Sequence, residues 1–143
     1  MAAQLTEKSI REFAVNWVGS LDTHVAFEEL RTYVVDSGLE MNMPEGTFRE
    51  LDGLAKWYDA ALNLFFDEKH TFIDVSPTIN RDTATVNVKV NWKSRAWKAP
   101  AAQSVWLDLE IEQVWELVAG RNGPLIKTYT VGNIEPRPGS GSL

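Results

Sequence analysis

The chain has 143 residues, 44% of them apolar and 24% charged, a length and composition for one globular domain around a single core. Its 14 Lys and Arg against 20 Asp and Glu leave a net charge of -6, which argues against a nucleic-acid partner. With no cysteine there is no disulfide framework, thiolate nucleophile or Cys-based metal site.

Leu5, Ile10, Phe13, Ala14 and Trp17 recur at helical spacing and predict a first amphipathic helix over residues 5–18, ended by Gly19 and Ser20. A second helix is predicted from Thr23 to Val35, capped by Asp22 or Thr23 and stopped by Gly38. Leu39, Met41 and Met43 then alternate with Glu40 and Asn42 as a short strand that Pro44 and Gly46 terminate. Thr47 to Glu50 reads as a capping box opening a third helix, whose stripe is Leu51, Leu54, Tyr58, Ala61 and Phe65.

After His70 the period changes to two. "TATVNVKVNWKSRAW", "SVWLDLEIEQVWELV" and "LIKTYTVGNI" read as strands. A hairpin around residues 100–102 is expected to set Lys93 opposite Glu110, Arg95 opposite Asp108 and Trp97 opposite Trp106, with Val88, Val90 and Trp92 facing Trp115, Gln113 and Ile111 inside. A second hairpin around "GRNG" is expected to set Glu116 opposite Lys127 and Trp115 opposite Thr128. Both registers agree on which face is inner.

This element order, with the stretches "LEMNMPEGTFRELDGLAKWY" and "HTFIDV…NRDTATVNVKV", resembles the nuclear-transport-factor-2-like superfamily. The second stretch is similar to the strand opening of the polyketide cyclase and scytalone dehydratase branch. The likeness spans roughly residues 5–135 and gives one domain over 1–135, with 136–143 as a flexible tail. It implies an α+β fold in which three N-terminal helices pack on a curved, mostly antiparallel sheet, the open end of the cone forming a ligand cavity.

Steroid isomerase-type relatives carry an Asp base just before a proline at the end of the short strand, and a Tyr on the first helix. Here Met43 precedes Pro44, and Phe13 and Trp17 stand on the helix. A thioether cannot take a proton from carbon, so that mechanism does not transfer. The dehydratase and cyclase branch implies instead a cavity-facing histidine at His70, suited to general acid or base work.

Its facing depends on register. A two-residue turn at Asn80 and Arg81 sends His70, Phe72 and Asp74 outward, whereas one extra residue at a bulge near Pro77 turns all three inward and brings His70 near Trp92. His70 and Asp74 stand about 13 Å apart along a strand and form no direct dyad. Asp22 and His24 read as a helix cap and an exposed first-turn residue, and Glu45 as a solvated turn carboxylate. His24 and His70 offer no two-His metal spacing, and neither G-x-S-x-G nor G-x-x-x-x-G-K occurs.

The sequence thus predicts His70 and Asp74 as catalytic candidates, and Trp17, Met43, Tyr58, Trp92, Gln113, Trp115 and Thr128 as ligand contacts. No metal or cofactor is expected. The expected partner is a small apolar or aromatic molecule, and a homodimer contact is expected through Trp97 and Trp106. The N-terminus lacks the basic start and apolar core of a secretory signal, and no run approaches a membrane span, so a cytoplasmic protein is expected. Two functions remain open: a cofactor-free isomerase, dehydratase or cyclase, and a non-catalytic ligand-binding or dimerisation module.

Overall fold

Residues 4–142 are described by a computed structural model. Helix α1 (Glu7–Asp22) starts in a reciprocal cap, Thr6 Oγ1 accepting from the Ser9 amide and Ser9 Oγ from the Thr6 amide, each at 3.0 Å. It continues a turn beyond Gly19, the predicted end, because that turn buries Ser20 and Leu21. Ser20 Oγ donates to the Tyr33 hydroxyl at 2.9 Å. A glycine inside a helix costs about 1 kcal/mol, which burying one leucine more than offsets.

The predicted second helix breaks up. Residues 23–26 reverse the chain, with His24 in the left-handed region at φ 53°, and only α2 (Phe27–Leu30) and a 3₁₀ turn (Arg31–Tyr33) remain helical. Val34 and Val35 are β-branched, and both are held to Ile126 as extended chain. Strand β1 (Glu40–Met43) forms as expected, but Thr47 to Glu50 is not a capping box. Instead β2 (Gly46–Arg49) hairpins onto β1, and Thr47 Oγ1 donates to Asn42 Oδ1 at 3.1 Å. Helix α3 (Glu50–Leu64) starts three residues late, and the Glu50 carboxylate accepts from the Gly38 amide at 2.7 Å.

Four long strands follow: β3 (Phe65–Asn80), β4 (Thr83–Ala96), β5 (Val105–Gly120) and β6 (Gly123–Pro136). The sheet order is β2-β1-β6-β5-β4-β3, antiparallel except where β1 joins β6. Three helices over a curved, mostly antiparallel sheet make the α+β cone that the sequence predicts. Helix α1 packs on β3 and β6, whereas α3 packs mainly on the sheet margins at β2 and β3. The middle of the concave face is therefore filled on the α1 side and roofed only by side chains on the α3 side.

Registers differ from expectation in both hairpins. In β4 and β5 the ladder shifts by two residues, so Lys93 faces Asp108, Arg95 faces Trp106 and Trp92 faces Leu109. An even shift preserves the in and out alternation. It arises because the connection runs from 97 to 104, closed by Trp97 Nε1 donating to Ala101 O at 2.8 Å. Trp97 and Trp106 are therefore no cross-strand pair, and the Arg95 guanidinium lies over the Trp106 ring at 5.3 Å. In β5 and β6 the expected register holds from Gly120 to Leu117, after which a bulge sets Glu116 opposite Thr128 and Trp115 opposite Tyr129.

The β3–β4 turn falls at Arg81 and Asp82, one residue later than expected, and the extra residue sits at Ile73 rather than Pro77. Residues before the bulge keep one facing and residues after it the other. His70 and Phe72 face inward, opposite Trp92 and Val90, while Asp74 faces solvent opposite Lys89. A second irregularity between Phe66 and Lys69 includes Asp67 at φ 52°. The segment read as a loose tail is tied along β5: Arg137 donates to Glu110 Oε1 at 2.9 Å, Ser140 Oγ accepts from the Asp108 amide at 2.9 Å, and the Gly141 amide donates to Trp106 O at 2.7 Å.

Candidate active site

Between α3 and the uncovered inner face of β4, β5 and β6 lies a cavity of about 480 Å³. Trp57, Tyr58, Ala61 and Leu64 close it from α3, Leu21 from α1, Met43, Pro44 and Glu45 from the β1–β2 turn, and Phe65, Trp92, Leu109, Ile111 and Tyr129 from the sheet. The volume suits a small organic molecule, and the wall is predominantly apolar. Its polar groups are Glu45, Glu68, His70, Gln113 and the ends of Tyr58, Trp92 and Tyr129. Among the described residues no lysine or arginine lines it.

His70 is anchored by Asp22, the last residue of α1. The carboxylate accepts from the His70 backbone amide at 2.9 Å through Oδ2 and meets ring Nδ1 at 2.5 Å through Oδ1. The two side chains are only 10% and 15% exposed. Burial pushes the Asp22 carboxyl up, but the bonds and charge of His70 outweigh it and hold the group below its ordinary value. An ionised Asp22 accepts the Nδ1 proton, leaving Nε2 as the ring nitrogen with no protein hydrogen-bond partner among the described residues. The His70 ring lies over Trp92 with centroids 6.2 Å apart. A base oriented by a carboxylate beside an apolar cavity can take a proton from a carbon acid or an alcohol.

Two positions before His70, Glu68 also faces the cavity. Its Oε1 accepts from Trp92 Nε1 at 3.2 Å, and its Oε2 pairs with His24 Nε2. Asp22 and His24 at the end of α1 thus meet His70 and Glu68 at the start of β3, making two histidine–carboxylate pairs side by side. Tyr58 donates its hydroxyl to Val25 O at 2.6 Å, and burial, then Glu68 and Glu29, raise its pKa. Gln113 Oε1 accepts from Trp115 Nε1 at 2.9 Å.

Of the expected ligand contacts, Met43, Tyr58, Trp92 and Gln113 line the cavity, as does His70. Trp17, Trp115 and Thr128 do not. Trp17 and Trp115 are 0% exposed and pack against Tyr129 behind the cavity floor, Trp115 stacked on it at 5.6 Å. The β5–β6 bulge replaces Thr128 with Tyr129 on the inner face. Burial pushes the Tyr129 hydroxyl up to about 12, against the opposing influence of Trp17 and Gln113. The Trp17 indole nitrogen lies near that oxygen without reaching hydrogen-bond geometry, the single buried side-chain polar atom without a partner among the described residues.

Asp74, expected beside His70 in chemistry, is exposed and accepts from Ser76 Oγ at 2.7 Å, because the Ile73 bulge reverses it. Asp22 and Glu68 were not singled out as catalytic from sequence. The legible signal was "DTH" at the end of an amphipathic helix; what hid its meaning was the extra helical turn that carries Asp22 to β3. Among the described residues no group of three or more metal-ligating side chains converges, and no helix is long and apolar enough to cross a membrane.

The helix order, sheet order and cavity between them define a nuclear-transport-factor-2-like fold, of the kind shared by scytalone dehydratase-like proteins. Solved structures agree. The LinA structure superposes with a TM-score of 0.75 at 11% identity, over 95% of this chain and 92% of that one. A protein of unknown function with a cystatin-like fold from Nostoc punctiforme gives 0.70 at 15%, covering 96% and 98%. A scytalone dehydratase candidate from Novosphingobium aromaticivorans gives 0.69 at 14%, covering 91% and 86%. At these identities the likeness is one of fold. No family model matches the sequence, and no curated protein matches it.

Proposed function

We propose that this protein is a cofactor-free acid–base enzyme acting on a small, neutral, apolar or aromatic ring compound, with His70 as the proton-abstracting base and Asp22 as the residue that orients it. The observation that carries the reading is the Asp22–His70 pair, bonded at ring and backbone, beside an apolar cavity. Dehydrochlorination and dehydration, the activities named for several structures of this fold, are eliminations that a base initiates. Glu45 and Glu68 with no cation in the wall disfavour a carboxylate or phosphate ligand and favour an uncharged one. Trp92, Tyr58 and Phe65 supply flat surfaces for a ring. The exposed Trp97, Val105 and Trp106 supply an apolar surface for a second copy of the chain.

The test uses 5-nitrobenzisoxazole, a neutral aromatic whose ring opens on loss of one C–H proton. The expected outcome is ring opening well above solution background, falling about 10²-fold or more in His70→Ala with the fold retained by circular dichroism. Equal rates in the two proteins would leave the rival, a ligand-binding module without catalysis, as the better account.

A further inference from the structure

The stretch "PRPGSGS" over residues 136–142 carries no large apolar side chain, yet after β6 it stays on the fold. Strand β5 gives the reason. β4 pairs with it as far as its first residue, Val105 opposite Ala96, whereas the β6 ladder stops at Leu109 opposite Pro136. Residues 105–108 are therefore an edge, fixed from β4 and left open by β6, and an open edge offers its backbone groups to any extended chain. Residues 137–141 cover it. The Arg137 amide donates to Asp108 O at 2.8 Å, the Asp108 amide to Ser140 Oγ at 2.9 Å, and the Gly141 amide to Trp106 O at 2.7 Å. Arg137 adds its Nε and Nη2 on Glu110 Oε1 at 3.2 and 2.9 Å. Between these contacts the chain turns, the Ser140 amide donating to Arg137 O at 3.0 Å and Gly139 supplying a φ of 90°. Gly141 fits where no side chain would: a Cβ there would fall on Val105 Cγ1 and lie 3.1 Å from Trp106 O. The seat is held from its other side as well. Asn91, 5% exposed on β4, donates to Asp108 Oδ1 at 2.7 Å and to Leu109 O at 3.1 Å, and Lys89 reaches Glu110 at 3.7 Å. A cover held by polar bonds at the surface opens more readily than the packed strand beneath it.

We propose that the β5 edge at Val105 to Asp108 is a docking site for an extended peptide, and that residues 137–141 occupy it as an intramolecular cover. The chemistry of the partner is the one the cover displays. An arginine meets Glu110, a serine and a glycine follow three and four positions later, and backbone N–H groups reach Asp108 O and Trp106 O. In strand addition the main-chain bonds supply affinity, while here the carboxylate of Glu110 and the narrow gap at Val105 supply selectivity. A tethered cover competes at an effective concentration on the order of mM, so a free peptide enters only where the cover is loosened. The site is separate from the cavity, since Asp108 and Glu110 flank the cavity-lining Leu109 and point to the opposite face of the strand. It stands whether or not His70 is a base.

The experiment uses the full chain, wild type and Gly141→Val, and a fluorescent peptide of sequence ARAGSGA, which keeps the pattern of the cover without its prolines. In Gly141→Val the Asp108 amide should exchange with heavy water at least tenfold faster than in the wild type, followed by NMR, and added peptide should restore its protection. By fluorescence anisotropy the peptide should bind this variant at least tenfold more tightly than the wild type. A peptide with alanine for the arginine should bind at least fivefold more weakly. Thermal unfolding verifies that the variant folds. The double variant Arg137→Ala with Ser140→Ala opens the same edge by removing bonds without adding bulk, and the same results are expected from it. Unchanged Asp108 exchange in both variants would show that the segment is no cover and overturn the proposal. Faster exchange with no gain in peptide affinity would overturn it too. Self-association of the opened variants in sedimentation, in place of peptide binding, would assign the edge to a second copy of the chain and likewise overturn it.

Discussion

At the closed end of the cone Trp17 and Trp115 are fully buried and pack against Tyr129, which forms the cavity floor, whereas at the open end Trp92 packs one edge on Phe65 and lines the cavity wall. Both ends are built from inward-facing aromatic side chains. What separates them is the layer above. Helix α1 covers the closed end directly, and α3 stands at the sheet margins over the open one. Titratable groups follow the same division: Tyr129 at the floor is driven towards its neutral form by burial, while Asp22 near the open end is kept charged by a partner. An inward tryptophan is therefore a packing residue or a ligand contact according to whether a helix lies on it.

Truncation should make that contrast measurable. Trp115→Ala is expected to cost about 3–5 kcal/mol in denaturant unfolding, because it opens a void among fully packed neighbours. Trp92→Ala should cost about half as much, since part of its surface already faces the cavity. Equal losses would mean that the open end is packed like the closed one.

A smaller effect on stability, with a large one on chemistry, is expected from Asp22→Asn. An amide cannot hold the Nδ1 proton as a carboxylate does, so the ring-opening rate of 5-nitrobenzisoxazole should fall about 10²-fold. The pH dependence has a definite sign. A carboxyl whose folded pKa lies below its unfolded one stabilises the fold fully above its unfolded value, about pH 4, and loses that contribution as pH falls through the folded value. The gap in melting temperature between wild type and Asp22→Asn should thus be widest near neutrality and close on acidification. A gap that widened in acid would contradict the ionised Asp22.

The smallest effect is expected at Asp74, which faces water outside both regions. Asp74→Asn should leave stability within about 0.5 kcal/mol and the ring-opening rate unchanged. A large loss there would place chemistry on the outer face of the sheet.

Much of this arrangement was legible in the residues. Alternation along Thr83 to Val118 identified the strands and their inner face, and the two-residue register shift left that assignment intact because facing depends only on parity. The facing of His70 could not be read in the same way. One bulge, at Ile73, decides it, and no side chain at that position distinguishes a bulged residue from a paired one. Thr47 to Glu50 satisfied a capping pattern, yet Thr47 to Arg49 formed a strand, because pairing with β1 satisfied its backbone groups instead.

The sequence by itself determined the first and third helices, the long strands, the inner face of β4 and β5 and the apolar character of the cavity, since these follow from periodicity and side-chain chemistry over short range. Only the tertiary structure decided which aromatic residues line the cavity and which carboxylate serves which histidine. Asp22 and His70 are 48 positions apart, and their meeting depends on where α1 ends, where the chain reverses at His24 and how many bulges β3 contains. Each of those is settled by packing between elements, where a displacement of one residue exchanges the inside of the molecule for the outside.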